Sequence, residues 1–198
     1  MAKLTLDDIA EPRAYERQRE AFRADVIAAK QLRRVGLGPL LTLVFENALT
    51  VRFQVQEMAR AERMFSDAQI QAELDTYNRL IPEAGQLSAT LFIELVSKEQ
   101  LVEWLPKLVG IERSIEFHLG SGGVRSVVPS VVDEEHAAQL TREATTASVH
   151  FIRFEFTPPQ VAAFTHHPVT LVAKHPSYAA STLLQDDTRF SLTEDLQG

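Results

Sequence analysis

Glu62 and His150 are the residues on which chemistry could rest. A helix drawn from Thr50 to Met64, continued at about 100° per residue, puts Val51, Val55, Met58, Ala59 and Phe65 on one apolar arc. Glu62 falls inside that arc and Gln54 on its edge. A carboxylate facing a core is costly unless paired or neutralised. Three readings of Glu62 follow: a rotated or shorter helix that leaves it exposed, an ion pair with an arginine from a sheet, or an acid, base or metal ligand in a pocket. His150 alternates with Ile152, Phe154 and Phe156, so it opens an apolar strand face. A lone histidine there reads first as a hydrogen-bonded core residue and second as a ligand. Carboxylate and imidazole are donor types for iron, zinc or manganese, which makes Glu62 and His150 the candidate metal residues, with Tyr77, Arg153 or Glu57 nearby. Their spacing matches neither His-Glu-x-x-His nor Glu-x-x-His. A third chemistry is a pocket between sheet and helices in which Arg52, Arg60 or Arg153 holds an anion.

Other polar groups read as structural. Gly120-Ser121-Gly122-Gly123 lies between two strand patterns and is a hairpin turn rather than a phosphate cradle. Pairing Leu119 with Val124 would set His118 opposite Arg125. His166-His167 ends a helix. No Walker loop, dinucleotide fingerprint or Ser–His–Asp arrangement is present, so no catalytic residue and no cofactor are assigned.

These groups must be positioned by a chain of 198 residues, 45% hydrophobic and 24% charged, which fits one globular domain, 1–198. The absence of cysteine excludes disulfides, thiolate metal sites and thiol nucleophiles. Met1 to Asp8 has no apolar run, so no signal peptide is expected. No run approaches the ~18 apolar residues of a membrane span. The net charge of −7 argues against a nucleic-acid binder. A cytoplasmic location is expected. Lys30, Arg33 and Arg34 read as the cationic end of a helix.

Thr5 with Asp7 and Asp8 caps a first turn, and Pro12 opens a helix to Arg34 that Gly36-Leu37-Gly38-Pro39 ends. Glu16–Arg19 and Glu20–Arg23 are i,i+3 pairs on its solvated face. Strands are expected over 40–46, 87–96, 112–119, 124–132, 147–156 and 169–175, and a surface loop over 133–146. Ser66-x-x-Gln69, Ser97-x-x-Gln100 and Thr157-Pro158-Pro159-Gln160 start helices, the second of which Pro106 kinks or splits. Asp187 caps a last helix. The central helix also carries Phe53 and Met64 on its supposed polar side, so it is covered twice: central to the domain, or part of a subunit interface. The pattern predicts an α+β fold, a single domain with a mostly antiparallel sheet of about six strands covered by helices from the N-terminal half.

The runs Leu41-Thr42-Leu43-Val44-Phe45-Glu46-Asn47, Thr50 to Met58, Arg60-Ala61-Glu62-Arg63, Glu73 to Asn78 with Leu80-Ile81-Pro82, and His150 to Phe154 together resemble an uncharacterised bacterial family catalogued as a domain of unknown function. The resemblance spans nearly the whole chain, from Lys3-Leu4-Thr5-Leu6-Asp7-Asp8 onward. Members are often encoded beside a rubrerythrin-like protein and an iron–sulfur protein related to heterodisulfide reductase. The resemblance therefore implies an accessory or binding protein linked to redox or peroxide metabolism, with such a protein as partner; the two-sided central helix adds a homo-oligomer as its expected form. The alternative is a metalloprotein or small-molecule-binding enzyme with a buried Glu/His site.

Overall fold

Asn47 sets the start of the central helix. Its side chain accepts from the Thr50 amide at 3.1 Å, while the Thr50 hydroxyl accepts from the Asn47 amide at 3.0 Å. Around that corner the computed structural model describes residues 2–120, 126–132 and 145–198. The helices are α1 (Pro12–Arg33), α2 (Ala48–Ala61), α3 (Asp67–Tyr77), α4 (Lys98–Trp104), α5 (Pro158–His166) and α6 (Asp186–Gln197). The strands are β1 (Arg34–Leu37), β2 (Leu41–Glu46), β3 (Gln86–Ile93), β4 (Ile115–Leu119), β5 (Ser126–Val131), β6 (Val149–Glu155), β7 (Val169–His175) and β8 (Tyr178–Leu183).

All eight strands belong to one antiparallel sheet in the order β1-β2-β3-β6-β5-β4-β7-β8. This corrects the expectation of about six strands covered by helices: the sheet curls into a nearly closed barrel. The two added strands are β1 and β8. The sequence pattern runs the first helix to Arg34 and ends it at Gly36-Leu37-Gly38-Pro39, but Arg34–Leu37 is a strand, and Gly38, at φ 68, lets the chain reverse there into β2. The seam between β1 and β8 is closed by side chains. The Tyr178 hydroxyl donates to the Leu37 carbonyl at 2.6 Å, and the Thr182 hydroxyl to the Gly36 carbonyl at 2.7 Å. A Cβ at Gly38 would collide with the Tyr178 hydroxyl.

Strand alternation sends Leu41, Leu43, Phe45, Leu87, Ala89, Leu91, Ile152 and Phe154 inward, all 4% exposed or less. Phe117 meets Phe154 at 4.6 Å and Phe164 of α5 at 5.6 Å, and Leu192 and Leu196 of α6 join the same core. Edge contacts of this kind add to the ~1.5–3 kcal/mol that each buried ring or aliphatic side chain contributes.

A smaller core of Val51, Val55, Leu74 and Ile81 joins α2 to α3. The second face of α2 meets α1, where Phe53 lies edge-on to Phe22 at 5.8 Å. The two-sided cover of α2 is thus supplied within the chain. Tyr15 and Arg19 of α1 clamp Glu57 of α2: the Tyr15 hydroxyl donates at 2.6 Å and the Arg19 guanidinium makes two bonds of 2.8 Å. Glu16 pairs with Arg60 of α2 rather than with Arg19. The expected surface pairs of one helix are therefore partly links between helices. The glycine turn at 121–123, Arg125 and most of the expected loop 133–146 lie outside the described residues, while β4 pairs Leu119 with Ser126 and His118 with Val127.

Candidate functional site

The outer face of the barrel carries a row of polar side chains across three strands. Glu46 of β2 pairs with Ser88 of β3, and Ser88 with Arg153 of β6. In the next row Val44 pairs with Thr90, and Thr90 with Phe151. Tyr77 and the turn Asn78–Leu80 lie over this face, and α1 and α2 close its other end. Two adjoining cavities result. The outer, about 300 Å³, is lined by Asp75, Tyr77, Arg79, Ser88, Phe151 and Arg153 among others. The inner, about 200 Å³, is lined by Lys30, Glu46, Gln54, Thr90, Phe92 and Val149 among others. Tyr77, Leu80 and Phe151 line both, which makes them one cleft.

Glu46 is 8% exposed. Its two carboxylate oxygens accept from the Thr50 hydroxyl at 2.5 Å and from the Thr90 hydroxyl at 2.7 Å. Its main chain is held from below: the Arg33 guanidinium donates to the carbonyls of Phe45 at 2.9 Å and of Glu46 at 3.2 Å. Arg33 is itself buried in an ion pair with Asp195 of α6. Burial pushes the Asp195 carboxyl up, against the pull of Arg33.

Two cations of the cleft, Arg153 and Lys30, are less satisfied. The Arg153 Nε is buried without a hydrogen-bond partner, and its ionic contact is Glu155 at 3.6 Å. Lys30, Gln54 and Tyr77 make no side-chain hydrogen bond or ion pair among the described residues. Elsewhere some cations are engaged, such as Arg19 with Glu57 and Arg34 with Glu94, and others, such as Arg17 and Lys98, stand at the exposed surface. Unpaired donors over an apolar floor of Phe151, Phe92 and Val149 are groups that a ligand can satisfy.

Of the residues singled out in the sequence, Tyr77 and Arg153 meet here. Glu62 does not join them: it is the exposed C-cap of α2. Arg63 follows it at φ 54, the Met64 amide donates to the Ala59 carbonyl at 2.9 Å, and the Arg63 amide donates to Arg60 at 3.4 Å. This Schellman turn ends the helix before Met64. It tucks Met64 under at 7% exposure and leaves Phe65 outside at 76%, so Phe65 is no part of the buried arc. Of the three readings of Glu62, the shorter helix holds.

His150 is 1% exposed inside the barrel, opposite Leu91, and its Nε2 bonds the Thr146 hydroxyl and the Ala147 carbonyl, both at 2.9 Å. It is the hydrogen-bonded core histidine of the first reading. Among the described residues no three His, Asp or Glu side chains gather as metal ligands. Arg60 pairs with Glu16, and Arg52 lies over the Phe22 ring at 5.3 Å, so Arg153 alone of the three expected arginines lines the cleft. His118 pairs with Glu116 at 2.5 Å, beside Lys174. His166 and His167 are exposed at the end of α5.

Sequence reasoning missed Glu46, Lys30, Ser88 and Thr90. One signal was available: Glu46 alternates with Val44 on a strand face and sits four residues before Thr50.

The fold and site define an antiparallel barrel with a polar cleft on its outer wall. The chain belongs to the family described as Protein of unknown function (DUF3501), which it matches over residues 3–196. It is similar to a protein from Burkholderia pseudomallei whose crystal structure is described as a novel protein of unknown function. The two share 35% identity and a TM-score of 0.89, over 98% of this chain and 100% of the other. No curated protein matches the chain. No helix among the described residues is long and apolar enough to cross a membrane.

Proposed function

We propose that the protein binds a small organic anion in the cleft, with Arg153 at one end and Lys30 at the other. One observation carries this reading: both cations line the cleft without a hydrogen-bond partner among the described residues. Arg153 offers a planar fork to a carboxylate or phosphate, and Lys30 a point charge. Tyr77, Gln54 and Ser88 supply neutral hydrogen-bond groups, and Phe151 lines both cavities as an apolar floor. The reading is compatible with the accessory role in redox or peroxide metabolism that the family resemblance implies.

Thermal unfolding against a panel of mono-, di- and tricarboxylates and phosphate esters tests it. A stabilising acid should raise Tm in proportion to the logarithm of its concentration, by mass action on the native state. R153M and K30M should abolish the shift. A panel that moves Tm in neither the wild type nor the variants would overturn the reading.

A further inference from the structure

We propose that Glu46 accepts a hydrogen bond from a hydroxyl group of the bound acid, so that the cleft selects hydroxylated organic acids over their deoxy parents. This rests on the anion-binding reading and adds the chemical class of the ligand. A carboxylate offers about four lone-pair sites, and the hydroxyls of Thr50 and Thr90 occupy one on each oxygen. Among the described residues no cation lies within ion-pair distance of Glu46, although it is buried and lines the inner cavity. Its remaining acceptor capacity is therefore available to a donor in the cleft.

The register sets the reach. Glu46 and Arg153 flank Ser88, so two strand spacings, about 10 Å, separate their Cα atoms. The bond from Thr90 draws the Glu46 carboxylate toward the column that ends at Phe151, on the cleft floor. An acid anchored on Arg153 can thus present a group a few bonds away to Glu46. A second carboxylate is refused there, being an acceptor of like charge. An ammonium would be placed in the same chamber as Lys30. A hydroxyl is a neutral donor and meets neither repulsion.

The test is calorimetric titration of two matched pairs, malate against succinate and gluconate against hexanoate, into wild type, E46Q and T90V. A site built to bond a hydroxyl discriminates strongly against the analogue lacking it, so the hydroxylated member should bind at least about tenfold tighter to the wild type. E46Q, which loses the charge that repels a carboxylate, should bring the ratio below about threefold. T90V retains the carboxylate but releases one of its anchors, and should narrow the ratio too; it decides the matter if E46Q does not fold. Equal wild-type affinity within each pair, with binding still lost in R153M, would overturn the role of Glu46 and leave the anion site standing. Binding of none of the four acids would overturn the role of Glu46, and the anion site with it where the wider panel of acids and phosphate esters also leaves Tm unmoved.

Discussion

Removing the charge of Glu57 should loosen the clamp that sets α1, and with it Lys30, against α2. The Arg19 guanidinium beside Glu57, opposed by burial and aided by the Tyr15 hydroxyl, holds this carboxyl down from 4.5 to about 2. At ~1.36 kcal/mol per unit the full shift is an upper bound of about 3 kcal/mol. The Arg19 and Glu57 side chains are 28% and 25% exposed, so solvent screens the pair and about 1–2 kcal/mol is the expected contribution. The folded value lies below the unfolded one, so below 4.5 the unfolded chain binds more protons. The stabilisation is present above pH 4.5 and is lost as pH falls toward about 2. Urea unfolding followed by circular dichroism, from pH 7 to pH 3, compares wild type with E57Q. E57Q should be about 1–2 kcal/mol less stable at pH 7, with the gap closing below pH 4.5. A gap that is zero at pH 7, or constant down to pH 3, would refute the reasoning.

Phe117 is fully buried among Phe45, Phe154, Phe156 and Phe164, so F117A should cost about 3–5 kcal/mol in chemical unfolding. Y178F removes the donor to the Leu37 carbonyl across the barrel seam and should cost about 1 kcal/mol, with faster amide exchange in the β1 hairpin. R33M leaves Asp195 buried without its cation and should destabilise by about 3–5 kcal/mol, whereas R33M/D195L should recover part of that loss.

Elements with local chemistry were legible in the sequence. The helix starts at Pro12, Ser66, Ser97 and Thr157 lie where caps and proline put them, and β7 spans 169–175 as its alternation predicts. The α2 end was not legible, because its left-handed residue is Arg63 where glycine is the usual signal. Nor was β8: its seam rests on Tyr178 and Thr182 reaching main-chain carbonyls of β1, contacts between residues some 140 apart in the chain. Glu46 drew no attention beside the apolar residues of β2, since its significance lies in Thr90 and in the row to Arg153, which depend on strand register. Burial likewise separates His150, which is inside as expected, from Glu62, which is not.

The anion site is tested most directly by isothermal titration of the best-stabilising acid into wild type, R153M and R60M. Arg60 of α2, paired with Glu16 of α1, lies outside the cleft and serves as the control for lost positive charge. A charge-assisted hydrogen bond to the ligand contributes ~1.5–3 kcal/mol, so R153M should bind about tenfold or more weakly while R60M binds like the wild type. Equal affinity in all three proteins would contradict the account.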